Sequence, residues 1–529
     1  MEAEPRYQVL IVGAGPVGTL CALLLGQHGV RTLLVDRASG IMELPRAISL
    51  DYEALRVLQA AGVMELLRDH MPAVPAGRIV SRYVGDLIDI DTQGVLDGHP
   101  KLVSFSQPQL ERVLRAALAR LPAIELRQAV ECVELVEEHG GVRAHLRTAG
   151  GATCIVQADY VIGADGANSF VRKARGIGFG GHTYQQDWLI VDVADAPGDR
   201  IEQYRFYSDP WRPHVHVPGP AGSQRWEFMM MPGETREQLE GVERIRSLIA
   251  PWGELADMRV LRTAVYRFHA RTAERIRCGR VLLAGDAAHL TPPFAGQGLC
   301  SGLRDAFNLS WKLAWVLHGR AGEAILDSYD QERLPHVRSM IRLAVMIGRL
   351  LMPTNRYYAR CRDYLIRMLR ALAPRDSLQE RKVKPNAAFA RGLFLPDRPR
   401  HSRILPGSQL PQGIVRAPGG RLMWSDDALG NELTLIGCGV DPARLLDAQT
   451  LSAWQRVGGR CLFLRARQQN LAVLPQIQSR VLEDETGGYA GQLVGNGTVL
   501  IVRPDRVVLG LADRADAVRL VTAAIRLLS

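Results

Sequence analysis

The order of apolar and polar positions divides the chain into stretches of different period. An apolar run over 8–12 (Gln-Val-Leu-Ile-Val) leads into a glycine-rich turn, a segment of helical period over 19–29 and a second apolar run over 32–35. Strand, helix and strand in such close succession predict a β-α-β unit. An amphipathic helix is predicted over 107–121, and short strands with glycine turns over 130–163. Strand-like pieces then recur at 188–193, 204–207, 214–217, 225–231 and 260–269, with turns such as Pro218-Gly-Pro between some of them. This pattern predicts an antiparallel sheet inserted into an α/β chain. Apolar strand character returns at 280–284, a long helix is predicted over 299–318, and 323–373 reads as helical with arginines interrupting the apolar face. Pro385, Pro396, Pro399, Pro406 and Pro411 crowd a segment that reads as a surface linker. Beyond it, strand and helix alternate, with a hairpin over 499–511 turning at Pro504-Asp505 and a closing helix over 515–528. The predicted organisation is a discontinuous α/β domain (1–181 and 271–380), an inserted sheet (182–270), a linker (381–412) and a C-terminal domain (413–529).

Composition narrows the class. A length of 529 residues fits two to four domains at ~150 residues each. With 47% hydrophobic and 23% charged residues, wholesale disorder and fibrous repeats are excluded. No run of 18 uncharged apolar residues occurs, so no membrane partner is expected. The acidic start, Met1-Glu-Ala-Glu-Pro, does not read as a signal peptide. The eight cysteines include no C-x-x-C pair and show no metal or disulfide framework, so no metal site is expected and reduced thiols in the cytoplasm are the simplest reading. The net charge of +10 suits anionic small molecules. The basic residues are scattered and form no nucleic-acid recognition motif, so no nucleic-acid partner is expected.

Candidate chemistry begins at Gly13-Ala14-Gly15-Pro16-Val17-Gly18, a G-x-G-x-x-G between a predicted strand and a predicted helix. Gly13 permits the tight turn, Gly15 lets the backbone approach a pyrophosphate, and Gly18 allows close helix–strand packing. The helix N-terminus offers N–H groups and partial positive charge to phosphate. Asp36 ends the second strand, 21 residues after Gly15, where its carboxylate can accept from ribose hydroxyls. The acid disfavours a 2′-phosphate at this loop; NAD and FAD both remain open. A tight glycine turn with no ligand is the competing reading.

Two further segments follow in order: Asp159-Tyr-Val-Ile-Gly-Ala-Asp165-Gly166, and Gly279-Arg-Val-Leu-Leu-Ala-Gly285-Asp286-Ala287-Ala288-His289 followed by Pro292-Pro293-Phe-Ala-Gly296-Gln297-Gly298. With the first loop, this set resembles the class A flavoprotein aromatic hydroxylases. The segments Arg46–Gln59, Leu299–Leu313 and Tyr329–Arg333 are similar to the 3-(3-hydroxyphenyl)propionate hydroxylase branch of that family. The resemblance implies a Rossmann-like FAD-binding domain, an inserted antiparallel β-sheet substrate domain and a C-terminal thioredoxin-like domain. It implies FAD as cofactor, held by the first loop with Asp36 and Arg37, by Arg46, Gln107 and Asp165, and by Gly285, Asp286, Pro293, Gly296, Gly298 and Leu299. The helix after Gly298 is also a physical match for the negative charge of reduced flavin near N1 and O2. For Asp286 the alternative is a turn acid, for Arg46 a solvated surface arginine; His289 reads as a packed histidine.

The implied activity is that of an NAD(P)H-dependent flavoprotein monooxygenase, acting through a flavin C4a-hydroperoxide on a small phenolic substrate with O2. NADH and NADPH are not distinguished, because no second nucleotide fingerprint occurs. A phenolate is the better ring nucleophile, so a base near the substrate hydroxyl is expected. His214 and His216 share one face of a predicted strand and either could serve; a structural histidine pair is the alternative. Arg225 and Tyr266 are candidates for a substrate carboxylate or hydroxyl, and Met229-Met230-Met231 for an apolar wall or simply core. The C-terminal domain has no C-x-x-C, with Cys438 alone in Ile-Gly-Cys-Gly, so a packing or dimer-supporting role is expected there, and a homodimer would be ordinary. Competing readings are a hydroxylase of a larger polyketide-type phenolic, an NAD-dependent dehydrogenase without flavin, and a non-catalytic flavin-binding protein.

Overall fold

A computed structural model describes residues 4–43, 46–194, 201–372, 388–399, 402–467, 478–488 and 494–529. Three large sheets organise them. The first has the order Val130–Glu138, Gly141–Thr148, Thr153–Gly163, Arg6–Val12, Thr32–Asp36 and Ile124–Gln128, with Val281–Leu283 added alongside Thr153–Gly163. Arg6–Val12 runs parallel to both of its neighbours. Val9, Leu10 and Ile11 are all buried, which is why this strand reads as a continuous apolar run rather than an alternation. The predicted β-α-β unit is present, with the helix at Pro16–Gln27.

The second sheet has the order His289–Leu290, Arg259–Ala273, Phe179–Ala194, Gln224–Met229, His214–Pro218, Tyr204–Ser208, Ala76–Ser81 and Gly85–Asp91. The last two strands lie outside the predicted insertion of 182–270. Tyr204–Ser208 pairs in parallel with Ala76–Ser81, a non-local contact that local periodicity does not reveal. One face of the sheet carries Trp188, Phe206, Val215 and Val217; the other carries Leu189, Val191, Trp226 and Phe228, covered by the helix Val242–Ile249. Met229 is buried core, and Met230 and Met231 pack partly buried against opposite faces, so the methionine run is packing rather than a wall.

The third sheet runs Leu422–Trp424, Ile414–Arg416, Arg480–Asp484, Gly459–Ala466, Leu433–Cys438, Thr498–Val502 and Val508–Asp513. The predicted hairpin is its far edge, and the closing helix is Ala517–Leu528. The long helical stretch divides into Asp327–Leu351 and Arg356–Leu372, and Pro353 sits in the break, where its ring and missing N–H oppose a continuous helix. The proline-rich segment is partly packed chain: Leu395 N donates to Leu509 O at 2.6 Å and Leu410 N to Arg506 O at 2.8 Å. Residues 381–387 and 400–401 of the predicted linker lie outside the described residues.

The buried helix Gly298–Leu317 joins these units. Among its inward side chains are Arg304, Asp305, Asn308 and Lys312, each paired with another segment. Lys312 Nζ donates to Glu332 at 2.7 Å, and Asn308 Nδ2 bridges Glu332 (2.6 Å) and Asp505 (3.0 Å). Arg503, from the C-terminal sheet, grips both oxygens of Glu332 at 2.6 and 2.9 Å. Arg56 does the same for Asp426 at 2.9 and 3.0 Å. Burial pushes the Glu332 carboxyl up, but the Arg503 and Lys312 cations overcome this and hold it well below the ordinary carboxylate value. Its folded-state pKa is depressed, so its contribution is complete above the unfolded value near pH ~4.3 and drains away as pH falls below that. Arg503→Leu is expected to destabilise the protein by ~3–5 kcal/mol at neutral pH, through the charge left buried. Urea unfolding from neutral to acidic pH checks this: the loss should shrink in acid, where Glu332 is protonated.

Candidate active site

A cavity of about 2290 Å³ lies between the first and second sheets. That exceeds the ~1,000 Å³ upper range for one small ligand and leaves room for a dinucleotide and a substrate together. Every expected cofactor residue except Gly18 borders it.

At one end is the glycine loop. Gly13 has φ +107°, and a Cβ there would fall 2.4 Å from Ala164 O. A Cβ on Gly18 would fall 1.9 Å from Gly13 O, so Gly18 serves close packing of helix against loop. Gly15 differs: a Cβ there would meet no protein atom within 4 Å and would project into an open cradle. Pro16 opens the helix at a position where its missing N–H costs nothing, and no side chain caps that helix. Asp36 Oδ2 accepts from Ala14 N at 2.6 Å and Oδ1 from Ala38 N at 2.8 Å, so the acid shapes the loop at the cavity edge. Val17 and Arg37 line the same end.

The other end is built on Asp305. Its Oδ2 accepts from Gly285 N at 3.1 Å and lies 2.6 Å from His289 Nε2, and its Oδ1 accepts from Arg333 Nε at 2.8 Å. Burial raises this carboxyl, and His289 and Arg333 more than cancel the effect, leaving it below the ordinary value. His289 is thus a buried brace, as the sequence reading has it. Between Gly285 and His289, Asp286 opens to the lumen; the enclosing walls desolvate its carboxyl and raise it. Arg172 donates to Ala287 O (2.8 Å) and Ala167 O (2.9 Å), tying this loop to the Asp165 turn. Asp165 Oδ2 accepts from Val171 N at 3.0 Å, while its buried Oδ1 has no partner among the described residues.

The segment Pro293–Gly298 is fixed from below. Arg304 pairs with Asp51 and with Glu53 (2.5 Å), and also donates to Gln297 Oε1 at 3.1 Å. Gly296 has φ +61° and packs by Ser49; Pro293, Gly298 and Leu299 border the lumen. The helix from Gly298 has no side-chain cap and no acid in its first turn. Two uncapped helix N-termini therefore converge on one cavity, each suited to negative charge. Gln107 Oε1 accepts from Arg46 N (3.2 Å) and Ala47 N (3.0 Å), placing Arg46 at the rim. The open cradle at Gly15 and the two uncapped helix ends fit the anionic parts of an FAD.

The expected substrate residues fare differently. His214 and His216 do share a face, but it is the face away from the cavity; Val215 and Val217 line the lumen instead. His216 is buried against Trp226, with ring centroids 4.4 Å apart, and bonds Gln224 Oε1 at 2.9 Å; burial pushes its imidazole down to about 3. His214 stacks on Tyr207 with centroids 4.3 Å apart, and burial lowers it too. Neither can reach a substrate proton in the lumen. Tyr266 contacts Arg262 and does not line the cavity. Arg225 borders the lumen but is committed to Asp192 at 2.5 and 2.9 Å and to Arg46 O at 2.9 Å. Asp305, Arg304 and Glu227 had no assigned role in the sequence reading. Charged residues inside an otherwise apolar helix were the available signal for the first two.

A family model described as an FAD binding domain matches residues 6–344, and one described as the HcaD C-terminal domain matches 407–527. The chain is 35% identical over 519 residues to the 3-(3-hydroxy-phenyl)propionate/3-hydroxycinnamic acid hydroxylase of Escherichia coli O8 (strain IAI1), covering 96% of this chain and 92% of that one. It is 34% identical, with the same coverage, to the enzyme so named in Shigella sonnei (strain Ss046). Among solved structures, the flavin-dependent monooxygenase PieE in complex with FAD and substrate matches in fold with a TM-score of 0.82, at 24% identity and 99% of both chains. The OxyS anhydrotetracycline hydroxylase from Streptomyces rimosus matches with a TM-score of 0.77, at 25% identity and 99% of both chains.

The Gly15 cradle makes a discriminating test. Gly15→Val adds atoms where no protein atom stands, so thermal unfolding of the flavin-free protein should change little. FAD affinity, followed by flavin fluorescence quenching, should fall at least ~10-fold, or ~1.4 kcal/mol. Gly18→Val should instead lower stability itself, because its Cβ would overlap Gly13 O.

Proposed function

This chain belongs to the FAD-binding domain family of aromatic hydroxylases, and from that premise we propose its substrate: a small hydroxylated aryl acid of the 3-(3-hydroxyphenyl)propionate type. The chain is an FAD-dependent aromatic monooxygenase, for which NAD(P)H and O2 are the fitting co-substrates. The observation that carries the substrate reading is 35% identity sustained over 96% of the chain. When bound, reduced FAD supplies the activated oxygen. The chain's own residues hold the anionic ends of the cofactor at two helix N-termini and enclose the ring to be hydroxylated in an apolar chamber. Ile79, Trp188, Phe206, Val215, Val217 and Phe294 belong to the cluster around that chamber and shield it from water.

The mouth supports recognition of an acid tail. Arg78, Lys101 and Arg370 line it, paired with Asp86 (2.7 Å), Asp91 (2.9 Å) and Asp89 (2.8 Å). Such solvent-exposed pairs are worth ~0–1 kcal/mol each, so a substrate carboxylate can take the place of a surface acid at small cost. The volume of about 2290 Å³ favours a second reading, a larger phenolic of polyketide type.

The C-terminal unit is read as thioredoxin-like. Gly459–Ala466 runs parallel to Leu433–Cys438, which pairs antiparallel with Thr498–Val502 and that in turn with Val508–Asp513. With the helices Ala448–Arg456 and Ala517–Leu528, this connectivity supports the assignment. Burial pushes the Cys438 thiol up to about 12, which argues for packing rather than redox chemistry. Among the described residues no helix is long and apolar enough to cross a membrane. A cytoplasmic homodimer remains the expected setting; the eight free thiols support a reducing compartment.

NADH and NADPH oxidation by the FAD-loaded protein, with and without 3-(3-hydroxyphenyl)propionate, tests the reading. Stimulated oxidation with a product heavier by one oxygen atom is expected. Stimulation by a multi-ring phenol alone would replace this substrate with the larger class.

A further inference from the structure

With both histidines turned away and Arg225 committed, Glu227 stands on the lumen face of the second sheet as a carboxyl with no salt bridge among the described residues. Glu227 sits mid-strand in Gln224–Met229, opposite Val215 on one side and Ile190 on the other. It lines the cavity and carries no hydrogen bond among the described residues. Carboxylates almost never lie this deep in apolar surroundings unless paired. Its neighbour Asp192, by contrast, is gripped by Arg225 through two hydrogen bonds.

We propose that the Glu227 carboxylate takes the proton of the substrate's phenol hydroxyl and later returns it to the product. This rests on the hydroxylase reading above. The substrate O–H bond breaks, its electron pair stays on the phenol oxygen, and the proton makes Glu227 a carboxylic acid. The electron-rich ring then accepts the oxygen atom that O2 and NAD(P)H supply through the flavin. The newly hydroxylated ring carbon releases its hydrogen as a proton, which goes to the second oxygen atom of O2 as that atom leaves as water; Glu227 gives its own proton to the original oxygen, and aromaticity returns.

The electrostatic surroundings suit this task. Around Glu227 are Arg225 from its own strand, Asp192 from the adjoining strand Phe179–Ala194, Arg262 from Arg259–Ala273 one strand beyond that, and the Tyr204 hydroxyl further along the sheet in the other direction. Burial is the largest influence and raises the Glu227 carboxyl; the Asp192 charge raises it further, and Arg225 and Arg262 pull it down without restoring the ordinary value. A raised carboxyl is the better match to a phenol near pKa ~10, because proton transfer is less uphill. A base must be deprotonated to act, so activity should fall as pH drops through this raised value, above the usual carboxylate range.

The test uses FAD-loaded wild type, Glu227→Gln and Glu227→Asp, titrated with 3-(3-hydroxyphenyl)propionate and with 2-naphthol while phenolate absorbance is followed across the neutral range. Wild type should ionise the bound phenol below its solution pKa. Glu227→Gln should bind it un-ionised, lose the acidic limb of the pH–rate profile and lower kcat about 10²–10⁴-fold, with FAD binding intact. Glu227→Asp should recover part of the phenolate signal, which a purely structural role would not produce. If wild type ionises only the naphthol, the phenylpropionate reading falls and the Glu227 assignment stands. If wild type binds both phenols and ionises neither, or Glu227→Gln ionises the bound phenol equally well, the assignment is overturned.

Discussion

The Asp305 carboxylate is the contact on which the Gly285–His289 end of the cavity depends. It lies inside the molecule, where an unpaired charge would be prohibitively costly. Its partners come from the loop after Val281–Leu283 and from the helix Asp327–Leu351. The helix that carries Asp305 also presents its own N-terminus to the lumen. One buried anion therefore fixes the helix end and the Gly285–Asp286 turn relative to each other. Two further groups extend this control: Tyr329 Oη donates to Leu283 O at 2.8 Å, and Arg333 reaches Ser301 O at 3.2 Å. A shift of either helix would disturb the turn that lines the cavity at Gly285 and Asp286.

The same helix spreads this constraint outward. Arg304 anchors the Pro293–Gly298 segment through Asp51 and Glu53, and one turn further Asn308 and Lys312 meet Glu332 and, through it, Arg503. The C-terminal sheet is thus ionically coupled to a helix that ends at the cofactor site. Buried ion pairs are poor sources of net stability compared with apolar packing. Their use at successive turns of one helix is better understood as specification of position: a charge finds its partner in one arrangement only, whereas apolar faces can slide.

Legibility in the sequence followed the range of the interactions. Gly13 and Gly18 were readable because each answers a local steric demand, and Gly15 because it leaves a cradle open between them; all three are visible as a motif between strand and helix. The edge strands Ala76–Ser81 and Gly85–Asp91 were not, since they join the second sheet by pairing with Tyr204–Ser208 more than a hundred residues away. Their pattern is also weak: Gly85–Asp91 contains three aspartates. His214 and His216 show the limit most clearly. Period-two alternation correctly put them on one face, but alternation cannot say which face meets the cavity. That was decided by the helix Val242–Ile249 and Trp252, which cover the histidine side.

The loop-and-helix walls of the cavity and the lumen face of the second sheet consequently differ in the kind of charge they tolerate. The former are assembled from backbone N–H groups and helix dipoles, fixed partial charges that need no counter-ion and remain in place when the lumen fills. The lumen face of the second sheet is mostly apolar, with Arg225 neutralised by Asp192 through hydrogen bonds of 2.5 and 2.9 Å and Glu227 as its acid. An anion such as pyrophosphate is stabilised at the first. A neutral aromatic ring is stabilised at the second, where water is displaced and a full charge would be penalised unless it is made transiently by proton transfer. Dielectric and dipole orientation would thereby sort anionic and aromatic groups along a single cavity, without a separating partition.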